Sequence, residues 1–154
     1  MEDETNQLPK WDIVVLTAGD EAQAAFYQRQ IDLKQDKHLP AAKYVVLSDP
    51  PGTKIGNGGC TLLALQYLSE HFERSELETA RVLIIMAGGL SKRLPHVSAV
   101  GKLFTSLPIS SPLKDDTHIV QMLELKLAMY AKLVALLAQG VRVTHRVPFA
   151  VIIF

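Results

Sequence analysis

Cysteine, net charge and long apolar runs are all scarce in this chain of 154 residues, and each scarcity narrows what it does. A single cysteine, Cys60, rules out an internal disulfide and suits a reducing compartment. Sixteen Lys+Arg balance sixteen Asp+Glu, so no broad field draws nucleic acid or anionic lipid, and any anion site must be local. No run of roughly 18 uncharged apolar residues occurs, which argues against a membrane span. The most apolar stretch, Leu133–Phe154, is broken by Arg142, His145, Arg146 and Pro148. The opening MEDETNQLPK is polar and acidic, unlike a secretory leader. Together these features predict a soluble, cytoplasmic protein with no nucleic-acid or membrane partner.

Familiar signatures are missing too. Neither Gly-x-x-x-x-Gly-Lys-Ser/Thr nor Gly-x-Gly-x-x-Gly is present. The histidines His38, His71, His96, His118 and His145 show no ligand spacing such as His-x-x-x-His, so they assign no metal site. The adjacent Asp115 and Asp116 read as a solvated loop or as a divalent-cation site. Cys60 has no companion that would lower its pKa, and it does not read as a nucleophile.

What is present is an ordinary globular mixture, 48% hydrophobic and 21% charged, long enough for one domain with its own core. Residues 1–10 read as a flexible arm. WDIVVLTA (Trp11–Ala18) is a buried strand by its β-branched content, and Asp20 can cap a helix running to about Lys37, with Ala22, Ala25, Phe26 and Leu33 inward. KYVVLSDP (Lys43–Pro50) gives a second strand and a turn. TLLALQYLSEHF (Thr61–Phe72) is a helix, with Leu62, Leu65 and Leu68 stacking beside Leu63 and Tyr67. ERSELETA is a polar connection, and VLIIMA (Val82–Ala87) is a strand apolar on both faces, as a central parallel strand would be. Ser106–His118 reads as loop. From Ile119 to Gln139 runs a helix with Glu124, Ala128, Lys132 and Gln139 outermost, and Val141–Val147 alternates as an edge strand would. Strands alternating with helices predict an α/β fold with a mostly parallel sheet flanked by helices. No repeat and no compositional shift marks a second domain.

Two glycine-rich segments carry the chemistry. In VLIIMAGGLSKRLPHVSAVGK (Val82–Lys102), a buried strand ends on Gly88 and Gly89, and Lys92, Arg93 and Lys102 follow. Parallel sheets place ligands at the carboxyl ends of their strands. Paired glycines let a ligand approach consecutive backbone N–H groups, which form a concave anion site. Arg93 adds a planar fork for phosphate oxygens and Lys102 a mobile point charge. The combination suits a nucleoside triphosphate, where cations stabilise departing pyrophosphate in the transition state. The alternative is a plain turn. The second segment, GTKIGNGGCT (Gly52–Thr61), puts four glycines ahead of a helix, near Lys54. Its Gly56, Asn57, Gly58 and Gly59 are candidates to border a nucleotide, or a flexible connector between strand and helix.

Gly88-Gly89-x-Ser91-x-Arg93-Leu94-Pro95 followed by Gly101-Lys102 resembles the signature of the sugar-nucleotide pyrophosphorylases. DPPGTKIGNGGCTLLALQ, GKLFTSLP and QMLELKLAMY are similar to the fucose branch of that family, the fucose-1-phosphate guanylyltransferases. The resemblance covers roughly Trp11 to Tyr130. It implies an incomplete nucleotidyltransferase domain of GT-A-like fold over residues 11–130. It also implies GTP and L-fucose 1-phosphate as substrates, GDP-L-fucose and pyrophosphate as products, and Mg²⁺ as cofactor. Arg93 and Lys102 would be the catalytic cations, and Gly88, Gly89, Ser91, Gly56, Asn57, Gly58 and Gly59 the nucleotide-binding residues.

The family is several times longer, and its metal-holding aspartate motif lies beyond the stretch that matches. Residues 131–154 read instead as a divergent apolar tail with no acid, and nothing after Glu124 is acidic. A truncated or alternatively spliced form is the resulting expectation. So is an unpaired sheet edge, with self-association through the tail. The alternative to catalysis is a silent fragment that binds nucleotide weakly or acts as an interaction module.

Overall fold

A computed structural model of the chain describes residues 10–34, 39, 41–88, 97, 101–110, 119–138 and 149–153. The first three strands, β1 (Trp11–Ala18), β2 (Ala41–Ser48) and β3 (Val82–Met86), are joined through helices α1 (Glu21–Asp32), α2 (Gly56–His71) and the single turn α3 (Arg74–Leu77). All pair in parallel in the order β2-β1-β3, and a fourth parallel strand, β6 (Phe149–Ile153), adds to the β3 edge. The predicted α/β class is therefore the observed one. A second, antiparallel pair joins β4 (Ser106–Ser110) to β5 (Ile119–Gln121), ahead of helix α4 (Met122–Ala138).

The period-two alternation of the central strands builds two cores. Val14 and Leu16 of β1, with Leu83 and Ile85 of β3, face Tyr27 and Ile31 of α1 and Leu123 and Leu127 of α4. Ile13 and Val15, with Val82, Ile84 and Met86, face Cys60, Ala64 and Leu68 of α2. Because both faces are covered, Ile13–Leu16 of β1 and all of β3 are apolar, as central parallel strands are. Each such side chain contributes roughly 1.5–3 kcal/mol by leaving water.

Several expectations are corrected. The inner face of α1 is Gln23, Tyr27 and Ile31, whereas Ala22 and Ala25 are exposed and Leu33 is 68% exposed. The stripe there was too weak to fix the helix rotation. On α2 the buried line is Cys60, Ala64 and Leu68, and Leu62 is 69% exposed. The small side chains of Cys60 and Ala64 make up much of the face that α2 turns to the sheet. α2 also starts at Gly56, so Gly56–Gly59 form its first turn rather than a connector. The polar connection at 73–80 contains α3.

Ser106–Ser110 is a strand despite Pro108, on a two-stranded sheet whose outer edges tolerate a missing N–H. Ile119–Gln121 is β5 and the helix begins only at Met122. Glu124 is not outermost: it meets Lys34 Nζ at 2.8 Å, with both side chains nearly buried, and accepts from the Gln121 backbone N–H. β6 pairs with all five residues of β3, so the sheet ends on β2 and β6. The edge strand expected at 141–147 lies outside the described residues, as does the arm at 1–9.

At the amino end of the sheet Arg81 clamps β1 to β3. Its Nε and Nη2 donate to both oxygens of Asp12 at 2.8 and 2.9 Å, and its backbone N–H adds a third bond at 2.7 Å. These bonds hold the Asp12 carboxyl below its ordinary value of 3.8. A lowered folded-state pKa contributes stability that is complete above the unfolded value and is lost as pH falls through the folded one. The pair is about one-third exposed, so solvent screens it. Asp12→Asn is expected to cost about 0.5–1 kcal/mol at pH 7. In urea melts, the gap between variant and parent should close as pH drops below 3.8.

Candidate functional site

The chain enters the sheet at β1, passes to β2 on one side, and returns to β3 on the other. Connections that leave in opposite directions create a crevice at the carboxyl ends of β1 and β3, the place where open parallel sheets take ligands. Three loops meet there: Gly19 and Asp20 after β1, Asp49 after β2, and Ala87 and Gly88 after β3. A hollow of about 410 Å³ opens among them, floored by Thr17 and Met86 and walled by Gly56, Asn57 and Cys60 of α2.

Gly88 sits in this crevice because nothing larger fits. A Cβ on it would lie 2.5 Å from Gly19 N and 2.6 Å from the Ala18 carbonyl carbon, backbone atoms that cannot step aside. The glycine therefore draws the ends of β3 and β1 together. Asp20 accepts from Gln23 N at 2.8 Å and caps α1, while the Gly19 N–H donates to Gln23 Oε1 at 2.8 Å. This ring of bonds fixes the β1 wall.

The α2 wall differs. Its cap residue, Ile55, offers no side-chain oxygen, and its first turn carries no acid. The backbone N–H groups of that turn are therefore without side-chain caps, and helix starts of this kind favour anions. Gly59 is needed for packing, since a Cβ there would lie 2.6 Å from Ile55 Cβ. Gly58 is different: it has an ordinary negative φ, and no heavy atom lies within 4 Å of where its Cβ would be. Glycine inside a helix costs roughly 0.5–1 kcal/mol relative to alanine. Among the described residues nothing repays that cost at Gly58.

Across the mouth, Lys54 Nζ donates to the Gly19 carbonyl and lies 3.9 Å from Asp49 Oδ2. The Cys60 thiol donates to Asp49 Oδ1 at 3.1 Å. Burial and the neighbouring Asp49 carboxylate push that thiol up to about 11, so it stays protonated as a donor and is no nucleophile.

Of the sequence-predicted residues, Gly88, Gly56 and Asn57 line the hollow, whereas Gly58 and Gly59 lie in the α2 turn beside it. Lys102 does not line it. It is exposed and opens a 3-10 turn, Lys102–Phe104, whose Leu103 and Phe104 are buried. The turn reaches the end of β3 through Tyr27, whose hydroxyl donates to the Ala87 carbonyl at 3.1 Å and leaves no room for a Cβ on Gly101. Gly89, Ser91 and Arg93 lie outside the described residues, as do Asp115 and Asp116. The described lining holds two carboxylates, Asp20 and Asp49, and one ammonium, Lys54. Sequence reasoning took Asp20 only as a helix cap and Asp49 only as part of a turn. The signal for both was available: an acid directly after a buried parallel strand.

Magnesium commonly takes one or two carboxylates and completes its shell with phosphate oxygens and water. Asp20, at the mouth of this hollow, has the chemistry for an ion that would arrive with a triphosphate, and Asp49 lies across from it. They do not make a protein cage, and among the described residues no group of three or more His, Cys, Asp or Glu gathers to hold a metal. Nor, among the described residues, is any helix long and apolar enough to cross a membrane.

Comparison with known proteins adds a family. Residues 74–146 match the model of the fucose pyrophosphorylase domain, a match that extends past Tyr130. Over 136 residues, 87% of the chain, the sequence is 47% identical to fucose-1-phosphate guanylyltransferase from Mus musculus and from Homo sapiens. A bifunctional fucokinase/GDP-fucose pyrophosphorylase from Arabidopsis thaliana is 35% identical over 123 residues, 66% of this chain and 12% of that one. The chain spans 22% and 21% of the mouse and human relatives. No solved structure matches it.

The two glycines divide in a thermal melt. Gly88→Ala is expected to destabilise by at least 2 kcal/mol, on the scale of overpacking against rigid backbone. Gly58→Ala is expected to raise stability by roughly 0.5–1 kcal/mol.

Proposed function

We propose that this chain, which belongs to the fucose pyrophosphorylase family, supplies the nucleotide-binding part of a guanylyltransferase that makes GDP-L-fucose. In that reaction a phosphate oxygen of L-fucose 1-phosphate attacks the α-phosphorus of GTP. The bond from that phosphorus to the bridging oxygen breaks, and pyrophosphate leaves with the electron pair. No protein nucleophile is needed, which accords with a protonated, buried Cys60.

One observation carries the reading: backbone approaches the hollow bare of side chains from two directions, at Gly88 and at the first turn of α2. Amides presented that way bind phosphate oxygens without competition from a Cβ. Arg93 and Lys102 are proposed to bring the cations. Arg93 would hold the β- and γ-phosphates and Lys102 would reach the α-phosphate, offsetting the two carboxylates of the described wall. Gly89 and Ser91 would extend the backbone cradle, with Gly56, Asn57, Gly58 and Gly59 along the α2 side. Magnesium would neutralise triphosphate charge, with Asp20 bringing a carboxylate toward it from the cap of α1.

A second reading is binding without turnover. Purified protein incubated with GTP, Mg²⁺ and L-fucose 1-phosphate separates the two by pyrophosphate release. Release that requires all three components, and falls at least a hundredfold in Arg93→Ala, is expected for catalysis, a loss of about 2.7 kcal/mol of transition-state stabilisation. GTP binding without release, weakened by Arg93→Ala, supports binding alone. Neither release nor binding contradicts both.

A further inference from the structure

Asp49 has no part in the reaction just described, yet it is a nearly buried carboxylate, 11% exposed, aimed at the same hollow. We propose that Asp49 reads the ribose of the nucleotide, accepting a hydrogen bond from its 2′-hydroxyl, and so sets a preference for ribonucleotides. The inference rests on nucleotide binding in this hollow.

The chemistry is restrictive. A carboxylate accepts only, so it repels phosphate and faces donors. The geometry then selects which donors. Phosphates cradled over the β1–β3 junction lie one and a half strand spacings from β2, roughly 7 Å. The ribose is the part of a nucleotide that lies that close to its α-phosphate, and the donor edge of a purine lies farther out. An acid ending the strand beside a phosphate crevice is how doubly wound sheets hold a ribose 2′-hydroxyl. Asp49 occupies that place, directly after β2 and beside Gly19.

Its carboxylate is also held for the task. The Cys60 thiol donates to Oδ1, and the Asp49 backbone N–H donates to the Ala18 carbonyl at 2.9 Å. Among the described residues Oδ2 meets only the Lys54 ammonium, at 3.9 Å, too far for a hydrogen bond. That oxygen faces a partner whose own hydrogen bond goes to the Gly19 carbonyl, which leaves Oδ2 open to a ligand's donor. Cys60 is thus a positioning residue, acting through Asp49.

Calorimetric titration of the full chain with GTP, dGTP and ITP tests the assignment, in the parent, Asp49→Ala and Cys60→Ala. The parent is expected to favour GTP over dGTP by about tenfold, the scale of a charge-assisted hydrogen bond. Asp49→Ala should bring the two within about twofold while dGTP affinity stays unchanged, which also reports an intact fold. Cys60→Ala should lower the preference partway, and it carries the test if Asp49→Ala does not fold. Equal parent affinities, or a preference that survives in both variants, overturn the assignment and leave nucleotide binding standing. Loss in Asp49→Ala of a GTP-over-ITP preference instead would assign the acid to the base and overturn the ribose reading. No binding of any of the three by the parent overturns nucleotide binding and this inference together.

Discussion

Gly88 lies against the backbone of Ala18 and Gly19 with no space for one more carbon, and that contact organises the molecule. It sets how closely the end of β3 approaches the end of β1, and hence the width of the crevice above them. The same contact explains why the strands can be apolar to their tips and still open onto a polar hollow. Thr17 and Met86, the last paired residues of β1 and β3, touch through Oγ1 and Sδ at 3.7 Å and form its floor. A side chain at position 88 would part the strand ends or bend the β3 exit, and either would displace the wall that Gly19 and Gln23 hold in place.

The two ends of the sheet have different duties. At the amino end charges are paired: Asp12 with Arg81, and Lys43 with Glu76 at 2.9 Å. At the carboxyl end Asp20 and Asp49 sit beside helix starts and bare glycine backbone. A hollow opens at each end, but the charged groups lining the amino-end one are already ion-paired, whereas the carboxyl end gathers donors and acceptors from three loops, where parallel sheets take ligands. The Tyr27 hydroxyl extends that arrangement. It ties Ala87 to the segment that carries Lys102, so the strand end and the 3-10 turn hold a fixed relation.

Much of this was legible in the sequence, for reasons that differ by residue. β1 and β3 announce themselves because a strand buried on both faces is an unbroken run of Val, Ile and Leu. Asp20 reads as a cap because its side chain satisfies a local donor, and local bonds leave local signatures. The inner faces of α1 and α2 were misread because they are set by tertiary packing. Tyr27 turns inward to reach Ala87, 60 residues away, and Cys60 and Ala64 turn inward to pack on the sheet. β4 was hidden by Pro108, and β6 by the proline that precedes it. Asp49 was hidden most completely, since its meaning comes from which strand lies beside β2 and no local pattern encodes that. Gly88, Gly56 and Asn57 could be singled out, and do line the hollow, because glycine and asparagine at strand ends and helix starts are informative on their own.

The central claim is that one crevice, at the carboxyl ends of β1 and β3, binds the polyphosphate of a nucleotide. Amide hydrogen exchange followed by mass spectrometry, with and without GTP and Mg²⁺, tests it directly. The account predicts slowed exchange at Gly19–Asp20, in the first turn of α2 and around Gly88, with the Asp12–Arg81 end unchanged. Protection confined to that opposite end, or none anywhere at saturating GTP, would contradict it.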